Sequence, residues 1–202
     1  MEKNAEEYIA KQKAALAQNA ECGNSHYNLA VAYLGQKKYD EAEQSLQEAI
    51  SCSPNLAEAY VQLGGICLYK NDLDGCLYYN KRAVKARAGF SIGHGNIGFV
   101  ELQRGNVEAA IKSLKKAISF NSSFLQAQAT LANAYLMNGE IKESIEANKK
   151  ALKLEPNFAV SHFNLALAYL EDNQKELAIE HSKKAVELGY EIPPELEKDF
   201  KE

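Results

Sequence analysis

From Gly23 to Ile192 the chain repeats itself every 34 residues, with no insertion or deletion between copies. The copies begin at Gly23, Ala57, Ser91, Leu125 and Ala159. A sequence with this period folds as one supersecondary unit stacked on itself, because each copy can bury its apolar face only against a neighbour. The 202 residues are therefore read as one stacked array without a single central core.

Within each copy, small and apolar residues hold fixed places. The seventh place reads Leu29, Leu63, Ile97, Leu131 and Leu165; the eighth reads Ala30, Gly64, Gly98, Ala132 and Ala166. The twenty-seventh place is alanine in every copy: Ala49, Ala83, Ala117, Ala151 and Ala185. Side chains this small let two helices approach closely on either side of a tight turn. Lys37, Asn71, Gly105, Gly139 and Asn173 mark that turn. The apolar period predicts a first helix of roughly fourteen residues and a second of similar length in each copy. Pro54 and Pro156 close the second helix, since proline cannot continue its hydrogen-bond ladder. Leu56, Phe90, Phe124, Phe158 and Ile192 recur at the joins and are expected to fix the angle at which each next helix enters.

These residues resemble the tetratricopeptide repeat family, whose 34-residue pattern combines an aromatic, Leu-Gly, Tyr, Ala, Phe and Pro. The resemblance covers residues 23 to 192 in five in-phase copies. Departures are scattered. The opening aromatic place holds His26, Tyr60, His94, Gln128 and His162, and Cys67 and Glu101 replace the family's tyrosine. The resemblance implies an all-α fold: a right-handed superhelical solenoid of antiparallel helix pairs, with five repeats at 23–56, 57–90, 91–124, 125–158 and 159–192. Residues 1–22 then form an N-terminal capping helix, half a repeat in which Ala15 and Leu16 share the phase of Ala49 and Ile50. Residues 193–202 form a C-terminal capping helix, with Leu196 and Phe200 covering the last apolar face.

Charge excludes several classes of partner. Lys and Arg total 23 against 27 Asp and Glu, a net charge of −4 spread along the chain with no basic arm, so nucleic acid is not an expected partner. The amino-terminal stretch is interrupted by charge every few residues and carries no signal-peptide or membrane-spanning run. A cytoplasmic protein without a membrane partner is expected. Cys22, Cys52, Cys67 and Cys76 show no metal-binding spacing and read as free thiols, with Cys67 and Cys76 buried as small apolar groups. His26, His94 and His162 stand too far apart to share a metal and are read as structural. No nucleophile with a paired base, phosphate loop or carboxylate pair is present, so no catalytic residue, metal or cofactor is assigned.

In the resembled family, the second, fifth, ninth and twelfth places of the first helices line a concave surface. Here they supply Tyr27, Val31, Leu34, Val61, Leu68, Ile92, Phe99, Leu102, Asn133, Leu136, Val160, Phe163, Leu167 and Leu170, with Tyr69 and Met137 following the twelfth place. Gly65, Gly95 and Ala129 make the middle of this surface shallow. Asn28, Gln62, Asn96, Thr130 and Asn164 occupy the sixth place, where some long solenoids of the resembled family use asparagine to hold a peptide backbone and ordinary members carry asparagine as well. Two readings remain open for the leucines: an exposed groove, or packing against the adjacent repeat. Phe99 and Phe163 favour the groove. A terminal carboxylate is not an expected guest, since no cation stands at these places. The paired cations Lys81-Arg82, Lys115-Lys116, Lys149-Lys150 and Lys183-Lys184 are read as charges near helix ends.

The expected function is a non-catalytic scaffold or adaptor that holds a hydrophobic peptide or amphipathic helix of another protein in the concave groove. The alternatives are a cytoplasmic chaperone shielding an apolar client, and a scaffold that assembles weakly with itself.

Overall fold

A computed structural model describes residues 2–19 and 22–200, and the capping expectations at residues 1, 20, 21, 201 and 202 fall outside the described residues. Eleven α-helices and no strand occur among the described residues. They are α1 (Glu2–Gln18), α2 (Gly23–Gly35), α3 (Tyr39–Cys52), α4 (Ala57–Tyr69), α5 (Leu73–Ala86), α6 (Ser91–Gln103), α7 (Val107–Phe120), α8 (Leu125–Met137), α9 (Ile141–Leu154), α10 (Ala159–Glu171) and α11 (Lys175–Glu187). The first helices of the repeats hold 13 residues, and the second helices 14 except α11 with 13.

The helices divide into two compact units, Met1–Gly93 and His94–Glu202. In the first unit α1 packs on α2, and α2 to α5 pack as successive neighbours. In the second, α7 packs on α8, α8 on α9, and α10 on both α9 and α11.

Each hairpin turn carries a residue in the left-handed region, with φ of 58° at Lys37, 58° at Asn71, 77° at Gly105, 77° at Gly139 and 56° at Asn173. The reversal lets the next backbone N–H reach back across the helix end. Lys38, Asp72, Asn106, Glu140 and Gln174 donate to the carbonyls of Tyr33, Cys67, Glu101, Tyr135 and Tyr169 at 2.8 to 2.9 Å. This is the Schellman arrangement, which satisfies carbonyls that the helix end would otherwise orphan.

Packing explains the small residues. All five alanines at the twenty-seventh place are 0% exposed. A Cβ on Gly64 would lie 2.4 Å from the Asn80 amide, and one on Gly98 would lie 2.5 Å from Leu114, so a larger residue would force the helices apart. Around these close approaches sit Leu46 and Leu63 in the first unit and Leu114 and Leu165 in the second, each 0 or 1% exposed. Burying a leucine this fully stabilises the fold by about 1.5–3 kcal/mol.

The join residues Leu56, Phe124 and Phe158 are the residues immediately before α4, α8 and α10. Phe124 packs against the second unit's core, and its ring lies where a Cβ on Gly95 would sit, at 2.7 Å. Gly95 is therefore small to admit Phe124.

At the carboxyl end the expected capping helix is a single 3-10 turn, Glu197–Phe200. Pro193 and Pro194 precede it, and since proline cannot donate to a helix ladder and disfavours helical dihedrals in the residue before it, no α-helix continues from α11 into this segment. Phe200 is buried all the same, and Ile192 and Leu196 pack against the same cluster.

Candidate functional site

The residues that the sequence assigned to a concave face lie, in the first unit, on α2 and α4. Val31, Leu68 and Tyr69 are exposed, Tyr69 at 67%. Tyr69 stacks on Tyr39, with ring centroids 4.1 Å apart and planes inclined by 24°. Tyr27 and Leu34 are half-buried against the core cluster built on Leu46 and Leu63, and Val61 against that of Tyr60 and Phe90. Asn28 and Gln62 are half-buried.

In the second unit the same places diverge in depth. Phe99 is 37% exposed and Met137 56%. Leu102 is 5% exposed, inside a cluster with Leu114, Leu131 and Tyr135. Leu136, Leu167 and Leu170 are half-buried against the cluster of Phe163 and Leu165. Asn96 and Asn133 are half-buried. Packing thus accounts for four of the five leucines at the twelfth place, and only Leu68 stands exposed.

Phe163 is 5% exposed because the chain's own carboxyl end covers it. Tyr190 stacks on its ring at 4.4 Å, and Phe200 meets it edge-on at 6.3 Å. The cause is local. Helices α3, α5, α7 and α9 end at residues with φ between −136° and −143°, which carry the chain on to the next repeat. Helix α11 instead ends through Gly189 at φ 86°, with the Tyr190 N–H donating to the Ala185 carbonyl at 2.9 Å, and this reversal turns Tyr190 back onto Phe163. Tyr190 occupies the place of Pro54 and Pro156, and the Gly189-Tyr190 pair was the sequence signal for it.

Asn164 is also committed within the chain. It is buried, and its Nδ2 donates to the Ala129 carbonyl of α8 at 3.1 Å, fastening α10 to the preceding repeat. Thr130, at the same place, bonds the Gln126 carbonyl of its own helix at 2.7 Å.

On this face of the second unit there is a depression of about 280 Å³. Phe99, Val160 and Tyr190 give it apolar sides, Ala129 a flat floor, and Gln126 and Asn133 carboxamides at its edge. Sequence reasoning named Phe99, Asn133 and Val160 on this face; Gln126 shares the second place with Val160 but was not named, and Tyr190 lies beyond the first helices that the reasoning used.

Other groups singled out by the sequence are engaged elsewhere. Arg82 donates to the hydroxyls of Tyr60 and Tyr78, both at 3.2 Å, and Lys115 lies 5.3 Å from the centre of the Tyr135 ring. Lys149 pairs with Glu146 at 3.9 Å and Lys184 with Glu187 at 3.1 Å. His162 Nδ1 lies 2.9 Å from His181 Nδ1, and His94 stacks on Phe120 at 5.5 Å. Cys67 and Cys76 are buried free thiols; burial pushes Cys67 up to about 11 and also raises Cys76. Neither is a thiolate nucleophile at neutral pH. Among the described residues no His, Cys, Asp and Glu cluster of three is placed to hold a metal, and no helix is long and apolar enough to cross a membrane.

Tetratricopeptide repeat models match residues 23–56, 93–124 and 159–188, and a TPR repeat model matches residues 132–173. No curated protein sequence matches the chain. Among solved structures it is similar to YrrB, described as a TPR protein with an unusual peptide-binding site, at 18% identity and TM-score 0.72, covering 88% of this chain and 92% of that one. MamA of Desulfovibrio magneticus RS-1 superposes at 22% identity and TM-score 0.72 over 82% of this chain and 94% of that one. PilF of Pseudomonas aeruginosa does so at 16% identity and TM-score 0.76 over 86% of this chain and 79% of that one. At these identities the likeness is one of fold, and it agrees with the 34-residue matches and the recurring hairpin: the chain belongs to the tetratricopeptide repeat family.

Proposed function

We propose that this protein is a non-catalytic interaction scaffold whose second unit holds a peptide of another protein on the face made by α6, α8 and α10. The observation that carries this reading is the depression between Phe99, Ala129 and Val160, where apolar walls meet the carboxamides of Gln126 and Asn133. Apolar walls take up side chains, and carboxamides, each both donor and acceptor, pair with a peptide backbone. YrrB, of the same fold, is described as having a peptide-binding site, which supports the class of ligand without locating it here. The exposed Val31, Leu68 and Tyr69 offer the first unit a second, separate apolar surface of the same chemistry.

The test is selection of peptides from a displayed library on the whole protein, followed by fluorescence anisotropy titration of the selected peptide. A Phe99→Glu, Asn133→Arg double variant with an unchanged circular dichroism spectrum should weaken binding by about tenfold or more, the loss of one good contact. Equal binding to wild type and variant removes this face from the function.

A further inference from the structure

In the third repeat the fifth place is Gly95, and the ring of Phe124, from the join that leads into α8, lies against it. In the fifth repeat the same place holds Phe163, and what lies on its ring is the segment that follows α11. Tyr190 stacks on Phe163 at 4.4 Å with the planes inclined by 22°, and Phe200 meets it edge-on at 6.3 Å and 63°. Ile192 and Leu196, between them, pack into the same cluster. Residues 190–200 thus form a strap with an aromatic anchor on Phe163 at each end.

Side chains, not backbone, fasten this strap to the repeats. Tyr190 N–H reaches the Ala185 carbonyl, but beyond it the backbone bonds are internal: Leu196 N–H donates to the Pro193 carbonyl at 2.9 Å and Asp199 N–H to that of Leu196 at 3.1 Å. Pro193 and Pro194 have no N–H to offer. Glu191, Pro194, Glu195, Glu197 and Lys198 are exposed. A cavity of about 420 Å³ lies between the strap and α11, bounded by Ser182, Val186, Ile192 and Phe200, so the strap does not close on the helix as a core element would. At its root Gly189 holds φ at 86° with open space where a side chain would stand, which makes a hinge. Few apolar anchors and a solvated backbone are the marks of a segment that opens without unfolding the rest.

We propose that residues 190–200 are a built-in ligand of this face, a strap that a partner peptide with an aromatic anchor displaces from Phe163. Tyr190 belongs to both places, since it stacks on Phe163 and also lines the depression with Phe99 and Val160. A peptide that enters the depression therefore meets the strap, and release of the strap extends the apolar surface from Val160 to Phe163. The partner's affinity is lowered in proportion to the share of molecules whose strap is docked. The proposal rests on the peptide reading above for the identity of the competitor; detachment of the strap is read without it, because the strap's own sequence serves as the probe.

A dye-labelled synthetic peptide of residues 189–200 is titrated by fluorescence anisotropy against the full chain. In a Tyr190→Ser, Phe200→Ser double variant the chain's own strap no longer competes, and the peptide should bind saturably. Wild type should bind it about tenfold or more weakly, because a tethered strap competes at an effective concentration on the order of millimolar. Phe163→Ser added to the double variant should abolish binding. The chain contains no tryptophan, so Phe200→Trp in the otherwise unchanged chain gives a second reading that leaves Phe163 intact: its emission should be that of a buried indole and should shift to the red, saturably, as unlabelled peptide is added. The peptide selected from the library, run on the same pair of chains, separates the two readings. Discrimination by the strap peptide while no library peptide binds upholds the strap and removes the peptide reading; a library peptide that binds both chains equally keeps the peptide reading and overturns the strap as its competitor. Equal binding of the strap peptide to wild type and double variant, no binding to the double variant, or an indole emission that the peptide does not move also overturns the proposal.

Discussion

Asn148 offers a quantitative test of how the repeats are packed. It is 0% exposed on α9, at the twenty-fourth place, which reads Leu46, Asn80, Leu114, Asn148 and Ser182 along the chain. Its Nδ2 bonds the Ser144 carbonyl at 3.1 Å, a group one helical turn back, and its Oδ1 is buried without a partner. An acceptor left in that condition costs about 1–3 kcal/mol. Leucine has nearly the shape of asparagine, and the first repeat already sets Leu46 at this place with Ala30 at the eighth, the same alanine that the fourth repeat supplies as Ala132. Asn148→Leu therefore removes an unsatisfied acceptor and adds buried apolar surface, at the loss of one hydrogen bond worth about 1 kcal/mol.

The net expectation is a gain of about 1–2 kcal/mol, or about 2–8 °C in melting temperature for a chain of this size. Urea unfolding should show a higher midpoint with an unchanged slope, since the exposed surface hardly changes. Because arrays of repeats unfold in parts, hydrogen exchange of the α9 amides should be read alongside and should slow. A midpoint that stays put or falls refutes the reasoning. It would mean that Oδ1 is satisfied, by an internal water for example, and that leucine expels the partner.

Leu102→Lys should unfold the second unit, with loss of helical circular dichroism, because it buries an unpaired ammonium at a 5% exposed site, whereas Leu68→Lys at 38% exposure should shift stability by no more than about 0.5 kcal/mol. Lys37→Gly should raise the urea midpoint by about 1 kcal/mol equivalent, since Lys37 holds φ at 58°, a region that costs an L-residue about 1–2 kcal/mol and glycine almost nothing. His181 is pushed below its ordinary value of 6.5 by burial and then by the neighbouring His162 ring, with Lys149 adding to this and Glu180 opposing it. The unfolded chain then binds the proton more readily than the folded one, so stability is full above pH 6.5 and falls as pH drops through the window below it. His181→Ala, which copies Ala147 of the fourth repeat, should flatten that part of a plot of urea midpoint against pH.

The fold was legible because its determinants are local and repeated. Ala49, Ala83, Ala117, Ala151 and Ala185 mark the close approach of two helices whatever the other side chains do, and four of the five turn residues, Asn71, Gly105, Gly139 and Asn173, are of the types that tolerate positive φ. The candidate site was less legible, since the phase of a residue on its helix gives the direction of a side chain and not what meets it there. Leu68 and Leu102 share a place, yet Leu102 enters the cluster of Leu114 and Leu131 and Leu68 does not. Phe163 points as its phase requires and meets Tyr190, which comes from outside the repeat pattern.

Two buried polar residues on the first helices of the second unit carry opposite consequences, and the difference lies in their partners. Asn164, at a place that is polar in every copy, finds the Ala129 carbonyl, so it fastens α10 to α8 and helps to shape the depression beside it. Gln128 breaks a series of rings and finds only the Ser122 carbonyl, so it leaves a buried acceptor without a partner. In an array where each repeat restates the same contacts, such an omission is measurable against its sister copies, as the His162 and His181 pair in the fifth repeat shows for Gln128 and Ala147 in the fourth.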